Sequence, residues 1–340
     1  MPSTDWNPPT HGQVEGPVAD LEPFWKRIML SLFWLGTIGL TTAFVLAMFA
    51  RLWWFADLFT HFRVQGLCLG LLLLSIAVSQ AYWKPALLVA MLVIAQGVMI
   101  APYVLPREKS TLPDSAASLM VWNVFIHNQN HAEILSLIQE QSADIVILLE
   151  VSHELGHELG QLRDLYPVQE FSPSLGPFGS GILSKKPLKE ISIRQLGQEL
   201  ESTIIATLDN GTTILGVHAL PPRGAQYSRI RNQQLDDIAE FAATLKGPVI
   251  VAGDLNATPW SPHFQDLLRE ASLRDPRRGQ GLLTSWPQGK PLIRIPIDHI
   301  LPSAEVRLEG LRILPETEGS DHHPVVCRWI LEREFTAPTP

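Results

Sequence analysis

A recurring pattern in this 340-residue sequence is an apolar segment that ends on a side chain able to bind a metal ion or to move a proton. Such segments end at Glu150, His218, Asp254 and Asp298, and a further polar cluster occupies 319–324. A single polar residue often ends a strand for structural reasons, but five such positions favour a shared site. Catalytic groups of α/β proteins gather beyond strand ends, where the backbone is fixed. The pattern therefore predicts an active site at one edge of a sheet.

The residue types in this pattern suit the hydrolysis of a phosphoester. Carboxylate and amide oxygens, such as those of Glu150 and Asn256, are ligands that Mg²⁺ prefers, and the bound ion keeps several waters. A phosphoester under attack needs charge stabilisation on its equatorial oxygens, an activated water and a stabilised leaving oxygen. Aspartate and histidine can activate the water and donate the proton. The residues alone therefore predict a site that binds a metal ion or moves protons.

The elements that must position these residues are predicted from hydrophobic periodicity. Apolar runs predict β-strands at 118–124, 144–149, 203–208, 212–218, 248–253 and 295–301. Helical spacing predicts α-helices at 131–141 and 226–245. We expect these elements to form one α/β catalytic domain over 118–332, followed by a short tail at 333–340.

The first third of the chain carries three uncharged apolar runs, at about 28–50, 64–83 and 85–105. A helix rises ~1.5 Å per residue, so ~20 residues cross a hydrocarbon core of ~30 Å. The runs therefore predict three transmembrane helices. Aromatic residues between the first two runs suit a membrane–water interface. Residues 1–27 are expected to form a flexible polar tail, and 106–117 a linker.

These segments predict an integral, multi-pass protein of the cell (inner) membrane. Three spans would put the N-terminal tail and the catalytic domain on opposite faces. The basic residues that flank the spans divide into Lys26, Arg27 and Lys84 on one face and Arg51, Arg63, Arg107 and Lys109 on the other. Three against four sets no orientation under the positive-inside rule, so the side of the catalytic domain is left open.

The charge of the chain is concentrated in the predicted catalytic domain. Residues 1–117 hold 7 basic and 7 acidic side chains, so residues 118–340 hold the remaining 19 basic and 27 acidic ones and the whole net charge of −8. An acidic domain is a poor electrostatic partner for a polyphosphate chain unless metal or a local basic patch offsets its field. The two cysteines, Cys68 and Cys327, imply no disulfide framework.

The motifs of residues 118–330 resemble those of the endonuclease/exonuclease/phosphatase superfamily, which includes deoxyribonucleases, abasic-site endonucleases, inositol-polyphosphate phosphatases and sphingomyelinases. In the family's order they are Val121-Trp-Asn123, Asp144-Ile-Val-Ile-Leu-Leu-Glu150, Gly253-Asp-Leu-Asn256, Ile297-Asp-His-Ile300 and Ser320-Asp-His-His-Pro324. Leu149 stands where the family usually has glutamine. The resemblance implies a four-layer α/β sandwich of two packed mixed sheets flanked by helices. It also implies in-line attack by water, assisted by Mg²⁺ or Mn²⁺.

The resemblance further implies roles for the residues of the metal and the water. Glu150 would be a direct metal ligand, and Asn123 would help to hold the metal or the phosphate. Asp321 would belong to the shell of the metal and the nucleophile. Asp254 would orient or deprotonate the attacking water, and Asn256 would bind a phosphoryl oxygen. The site is expected at one end of the sandwich, facing or near the membrane.

Histidines supply the acid in the implied mechanism. His322, rather than His323, would donate a proton to the phosphate or the leaving group, with Asp298 fixing its tautomer. His218 matches the second histidine of many nuclease members, although its usual acidic partner cannot be placed. Phosphate contacts of lower weight are Arg223, Tyr227, Arg229 and Arg231, which would equally suit a solvated helix start.

The sequence leaves the substrate and some alternative functions open. The membrane tether and the acidic domain favour a phospholipid or lipid-linked phosphate, and a tethered nuclease acting on DNA or RNA is the alternative. The run His153-Glu-Leu-Gly-His157 fits the zinc-protease pattern H-E-x-x-H, but no distinct third ligand is evident and the run suits a surface helix capped by Ser152. A non-catalytic binding module would not need the complete set of site residues. No obligate protein partner is evident.

Overall fold

The computed structural model describes residues 21–107, 111–196, 202–315 and 317–335. Most of the two predicted tails, at 1–20 and 336–340, lies outside the described residues, as does the 108–110 part of the predicted linker. The rest of that linker is ordered against the catalytic domain, where Leu112 and Ala116 pack on Ile330.

Four helices form the first third of the chain, namely α1 Leu21–Met48, α2 Trp54–Leu58, α3 Arg63–Ser79 and α4 Trp83–Val104. Helices α1 and α4 are long and apolar enough to cross a membrane. The second of the three predicted spans is the shorter apolar helix α3, because the chain turns after Ser79 and Ala81 adopts a left-handed φ of 53°. Its 17 residues rise only about 26 Å.

Helices α1, α3 and α4 pack together through a small apolar core that includes Phe33, Leu73 and Val89. Small residues permit the close approach: a Cβ on Gly70 would lie 2.8 Å from Val93, and one on Gly66 would overlap Gln96. The outer faces of the same helices expose large apolar side chains, among them Leu35, Ile38, Leu87, Ile94 and Val98. An exposed apolar surface of this extent marks a site of interaction.

The described strands of the catalytic domain form two mixed sheets. The first has the order β10-β11-β1-β2-β4-β3 and the second β5-β6-β7-β8-β9. Their bounds are β1 Ala117–Asn123, β2 Ile145–Leu149, β3 Val168–Ser172, β4 Ser180–Ser184, β5 Leu188–Gln195, β6 Ser202–Leu208, β7 Thr213–His218, β8 Val249–Asp254, β9 Asp298–Pro302, β10 Val306–Ile313 and β11 Val325–Leu331. The pairs β1–β2 and β7–β8 are parallel.

Side chains alternate along each central strand and so create the layers. In β1, Leu119 and Val121 enter the core between the sheets, whereas Met120 and Trp122 face a helical layer. The helices of the domain are α5 His131–Gln141, α6 His153–Glu158, α7 Ala225–Thr244, α8 Pro262–Glu270 and α9 Glu332–Phe335. Residues of α5 and α6 cover the first sheet, and those of α7 and α8 cover the second. The two sheets and their flanking helices form the predicted four-layer sandwich.

The predicted central elements are confirmed, and the edge elements are additions. Strands β1, β2 and β6 to β8, with helices α5 and α7, match the predicted ranges to within a residue or two. The last predicted strand begins at Asp298 instead of 295, because Pro296 cannot donate a ladder hydrogen bond. The predicted strands do not include β3, β4, β5, β10 and β11, and the predicted helices do not include α8 and α9.

The catalytic domain contacts the helical bundle directly through residues 49–62, which we call the connector. Arg51 donates from Nη2 to Asp266 Oδ1 at 2.8 Å. His61 Nδ1 lies 3.0 Å from Thr258 Oγ1. The end of α4 also takes part, because the backbone N–H of Gly279 donates to the carbonyl oxygen of Pro102 at 2.9 Å. The domain therefore rests on the ends of the helices instead of hanging from a free tether.

Candidate active site

The sheet register explains why residues distant in sequence meet at one edge. In the first sheet, Asn123 pairs with Leu149, so Asn123 lies beside Glu150. In the second, His218 pairs with Asp254 across the parallel strands β7 and β8. Strand β9 runs antiparallel to β8 and pairs Asp298 with Asp254, which brings the start of one strand to the end of the other.

Hydrogen bonds and short polar distances join the two sheets at this edge. Asn123 Nδ2 donates to Glu150 Oε1 at 2.9 Å and lies 3.4 Å from Asp254 Oδ2. His218 Nε2 lies 3.8 Å from the same glutamate oxygen and 3.7 Å from the same aspartate oxygen. Four predicted site residues, contributed by both sheets, thus form one polar centre.

The backbone of this centre is strained at two of the predicted residues. Glu150 has φ 61° and Asn256 has φ 45°, both in the left-handed region. Such conformations cost a non-glycine residue on the order of 1–3 kcal/mol and cluster at functional sites. Gly253, with φ 151°, precedes Asp254, and a Cβ there would overlap the carbonyl oxygen of Val217. The glycine of this motif is therefore required by the close approach of β7 and β8.

A buried histidine–aspartate pair provides an acid. His322 Nδ1 lies 2.9 Å from Asp298 Oδ2, and His322 Nε2 lies 3.7 Å from Asp254 Oδ2. Burial lowers the pKa of His322, but the carboxylates of Asp298 and Asp254 outweigh it and raise that pKa to about 10. These carboxylates favour the protonated imidazole, which can donate from Nδ1 to Asp298 and carry a second proton on Nε2. His323 instead places Nδ1 2.9 Å from the carbonyl oxygen of Leu314.

Asp254 carries the most perturbed carboxyl group of the site. Burial raises its pKa to about 8, and the charges of Asp298 and Glu150 add to the effect, while His322 opposes it. Asn256 donates its backbone N–H to Asp254 Oδ1 at 2.9 Å and its Nδ2 lies 3.3 Å from Oδ2. Nδ2 also donates to the carbonyl oxygen of Ala219 at 2.9 Å. Asn256 thus holds Asp254. The resemblance implies that its side chain binds a phosphoryl oxygen, but in the structure its donors are bonded to Asp254 and Ala219.

The residues fit a divalent cation. Glu150 and Asp254 offer hard oxygens, and among the described residues the buried Oδ1 of Asp298 has no hydrogen-bond partner. Asn123 turns Nδ2 to the site, and its Oδ1 accepts the backbone N–H of Phe125 at 3.1 Å. A cation would offset the crowding of negative charge that raises the pKa of Asp254. Atoms of Asp254, Asp298 and His322 also approach within 4.8 Å of one another. Because His322 Nδ1 lies 2.9 Å from Asp298 Oδ2, that trio suits proton transfer, whereas the Glu150 carboxylate suits the metal.

Asp321 lies on the rim of the site. Its side chain is 45% exposed, and Oδ1 lies 3.9 Å from His322 Nε2. Trp286 donates from Nε1 to Asp321 Oδ2 at 2.9 Å, and its ring lies 6.2 Å from the ring of His322. Trp286 was not singled out from the sequence, since a lone tryptophan in a loop carries no motif.

The predicted phosphate contacts fall on the outer surface of the α7 region. Arg223, Tyr227 and Arg229 are exposed, and no hydrogen bond or ion pair among the described residues joins their side chains to the site. Arg231 is fully buried, with Nη2 2.6 Å from Asp57 Oδ2. The prediction that Arg231 contacts phosphate is therefore wrong, because its guanidinium is already bonded inside the protein.

The zinc-protease pattern lies on the surface. Helix α6 has six residues, and Ser152 caps it as predicted by accepting the backbone N–H of Leu155 at 3.1 Å. His153 and His157 are exposed, and neither belongs to a metal-binding cluster among the described residues. The pattern thus belongs to a short capped surface helix.

Comparisons with known proteins agree with this geometry. The sequence model of the Endonuclease/Exonuclease/phosphatase family matches residues 120–322. A UPF0294 protein of Vibrio cholerae is 26% identical over 260 residues, covering 69% of this chain and 85% of that protein.

Solved structures of low sequence identity share the fold. Humanized D. rerio TDP2 superposes with a TM-score of 0.54 at 18% identity, covering 64% of this chain and 100% of that chain. The 3′ phosphatase NExo from Neisseria superposes with a TM-score of 0.54 at 19% identity, covering 62% of this chain and 98% of that chain. The human Nocturnin catalytic domain superposes with a TM-score of 0.51 at 20% identity, covering 64% of this chain and 94% of that chain. With the family match over more than half of its length, the chain belongs to the Endonuclease/Exonuclease/phosphatase family of phosphoester hydrolases.

Proposed function

We propose that this hydrolase is an integral membrane enzyme that cleaves a phospholipid or a lipid-linked phosphate at the bilayer surface. Mg²⁺ or Mn²⁺, held through Glu150, would supply charge stabilisation for the phosphoryl oxygens. A bound cation would lower the pKa of Asp254, so that its carboxylate would orient or deprotonate the attacking water. His322, with Nε2 3.7 Å from Asp254 Oδ2, would donate its Nε2 proton to the leaving oxygen while Asp298 holds its ring.

The observation that carries the membrane substrate is the contact between site loops and the ends of the apolar helices. Trp260, four residues after Asn256, donates from Nε1 to the carbonyl oxygen of Met99 at 3.2 Å. Met99 belongs to the last two turns of α4. Four residues span at most about 14 Å of extended chain. The loop that follows Asp254 is therefore held near one end of a candidate span.

A second site loop approaches the start of α3. The carbonyl oxygen of Arg294, four residues before Asp298, accepts a hydrogen bond from Gln65 Nε2 at 3.3 Å. The same distance bound applies, so the start of β9 is also within about 14 Å of a helix end. Both sides of the site are thus close to the level at which the apolar helices would leave the membrane.

Some of the exposed apolar side chains of the catalytic domain lie near these contacts. Within its described residues, the large apolar side chains that are exposed are Leu175, Tyr227, Leu292 and Ile293. Leu292 is 87% exposed and lies beside the Arg294 contact with α3. Leu175 lies in the loop whose Phe178 ring is 6.3 Å from the ring of His218. Apolar side chains at such a rim would be covered by a lipid surface.

A membrane-tethered nuclease is the second candidate. The Neisseria 3′ phosphatase is bound to a product DNA hairpin, and a D. rerio TDP2 structure is complexed with single strand DNA product. The excess of acidic over basic residues in this catalytic domain weighs against a polyphosphate chain.

The test is a substrate panel with full-length protein in nanodiscs. Mg²⁺ or Mn²⁺ is supplied, and plasmid DNA, single-stranded DNA, phospholipids and polyprenyl phosphates are compared, with Asp254→Asn and EDTA as blanks. Headgroup or phosphate release from lipid with intact DNA supports the proposal. DNA cleavage that is lost in Asp254→Asn, with intact lipid, would make the protein a nuclease.

A variant of two exposed residues near the site tests whether they serve the binding of a bilayer substrate or the hydrolysis itself. Leu292→Asp combined with Ile293→Asp should reduce turnover of a lipid substrate in the bilayer about tenfold or more, because two rim contacts worth ~1.5–3 kcal/mol each are lost. Turnover of soluble bis(p-nitrophenyl) phosphate should stay unchanged. Equal loss on both substrates would mean that the two residues serve the fold and not the membrane.

A further inference from the structure

A fully buried ion pair joins the connector to the catalytic domain. Asp57 of α2 is 2% exposed and Arg231 of α7 is 0% exposed, with 2.6 Å between Asp57 Oδ2 and Arg231 Nη2. Ser261 completes the pair by donating from Oγ to Asp57 Oδ1 at 2.9 Å. Removing two charges from water is expensive, and apolar replacements of such pairs are often at least as stable. Stability alone therefore does not account for this pair.

The ion pair continues into the active site through hydrogen bonds. Arg231 donates from Nη1 to the carbonyl oxygen of Asn256 at 2.8 Å. Asn256 in turn donates its backbone N–H to Asp254 Oδ1 at 2.9 Å. Three consecutive contacts thus connect a carboxylate of the membrane region with the carboxylate that orients the water. Because Asn256 has a left-handed φ of 45°, its conformation has to be held by its surroundings.

A second contact from the connector reaches the same loop. His61 is buried, and its Nδ1 lies 3.0 Å from the Oγ1 of Thr258, which is itself fully buried. Thr258 is two residues beyond Asn256. The connector therefore contacts the segment after Asp254 at two points, one through Arg231 and one directly.

We propose that the connector positions the Asp254–Asn256 loop, so that the hydrolytic site is complete only while the catalytic domain is docked on its own membrane helices. Arg231 and Asp57 are positioning residues: they touch neither substrate nor metal and act through the backbone of Asn256. The proposal rests on the phosphoester hydrolysis proposed above, but it does not depend on whether the substrate is a lipid or a nucleic acid.

The same interface offers a matched control. Arg51, also in the connector, forms an ion pair with Asp266 of α8, and the Arg51 side chain is 55% exposed. No hydrogen bond among the described residues links Asp266 to the site. Loss of this pair tests whether any weakening of the docking interface is enough to reduce activity.

The experiment uses the full-length protein in detergent with Mn²⁺ and bis(p-nitrophenyl) phosphate as a soluble probe. Arg231→Lys keeps a charge for Asp57, but one ammonium group cannot reproduce both arms of the guanidinium. The double variant Asp57→Leu/Arg231→Met removes both charges and leaves no charge unpaired. Both should lower kcat about 100-fold with little change in KM, since a displacement of ~1 Å suffices for such a loss. Arg51→Ala should stay within about twofold of the wild type.

A second measurement does not require turnover. Hydrogen exchange of the backbone amides at 255–258 should be faster in the Arg231 variants than in the wild type, and unchanged in Arg51→Ala. Folded variants with wild-type kcat and wild-type exchange would overturn the proposal. Should Arg231→Lys fail to fold, the double variant decides in its place. If the wild type does not cleave the probe, the proposed function fails, and the exchange result still decides whether the connector holds the loop.

Discussion

Two adjacent histidines near the end of the chain show how position alone separates a reacting group from a structural one. His322 is held by Asp298 and lies 3.7 Å from Asp254 Oδ2 through Nε2. His323 is equally buried but is bonded to the carbonyl oxygen of Leu314, away from the carboxylates. The sequence His322-His323 cannot by itself distinguish the two residues. The structure does, because the two rings have different hydrogen-bond partners.

The first prediction follows from that difference. His322→Gln should reduce kcat on a soluble phosphodiester by about 10²–10⁴-fold, because the proton donor to the leaving oxygen is lost. His323→Gln should leave kcat within a small factor, although the protein melts at a lower temperature. Circular dichroism of both variants checks that they are folded. An equal loss of kcat in the two variants would contradict the assignment of the acid.

The second prediction concerns pH and the connector. Burial lowers the pKa of His61 to about 4, with Asp57 opposing the shift and Arg231 adding to it. The unfolded chain, with a histidine pKa near 6.5, therefore binds more protons than the folded protein between pH 6.5 and 4. The free energy of unfolding should fall by up to about 3 kcal/mol as the pH drops through this window.

The measurement is chemical denaturation of the full-length protein in detergent at several pH values. His61→Asn, which keeps a polar partner for Thr258, should flatten the slope between pH 6.5 and 4 relative to the wild type. Identical slopes in the two proteins would show that other groups cause the acid sensitivity.

At the scale of elements, the active edge depends on the close approach of β7 and β8. The third prediction tests this at Gly253, where a Cβ would overlap the carbonyl oxygen of Val217. Gly253→Ala should destabilise the protein by about 3 kcal/mol, as backbone strain and overpacking add. Gly211→Ala is the control, because Gly211 also has a positive φ, 86°, but nothing lies within 4 Å of the added Cβ.

The two substitutions differ mainly in the space around the added Cβ. Gly211→Ala should therefore lower the free energy of unfolding by only about 1–2 kcal/mol. Denaturation curves of both variants give the comparison. A cost at Gly253 no larger than that at Gly211 would mean that β7 and β8 can separate without penalty.

Most buried central elements had a clear pattern and were predicted, although the buried strand β11, VVCRWIL, was missed despite its apolar residues. The buried central strands β1, β2, β7 and β8 form continuous apolar runs, and their polar ends predicted the site residues. The edge strands β3 and β5 are only partly buried and read VQEFS and LKEISIRQ, which show no continuous apolar run. Polar contacts between remote segments carry no local signal: Asp57 and Arg231 are 174 positions apart.

At the scale of the whole molecule, the open question is how many helices cross the membrane. Helix α3 is short by ~4 Å or more against a hydrocarbon core of ~30 Å, a mismatch that local thinning can absorb. The fourth prediction is that α3 nevertheless spans. In a Cys68→Ser background, Gln80→Cys in the turn before α4 and Glu240→Cys on α7 should react with an impermeant maleimide from opposite sides.

Both probe positions are exposed, and the remaining cysteine, Cys327, is buried. Intact and permeabilised vesicles give the two labelling patterns. Labelling of both positions from the same side would mean that α3 enters and leaves through one face, so that the bundle contains fewer than three spans.

The direct seating of the catalytic domain on its helix ends limits where the enzyme can work. With the apolar helices in a bilayer, as proposed, contacts from Arg51, Asp57 and His61 on one side and from the last turns of α4 on the other would hold the domain at the bilayer surface. For a lipid-linked substrate, encounter then becomes a two-dimensional search by lateral diffusion within a leaflet. The rate should follow the mole fraction of substrate in that leaflet, so that dilution with inert lipid slows turnover even when the amount of substrate per volume is constant.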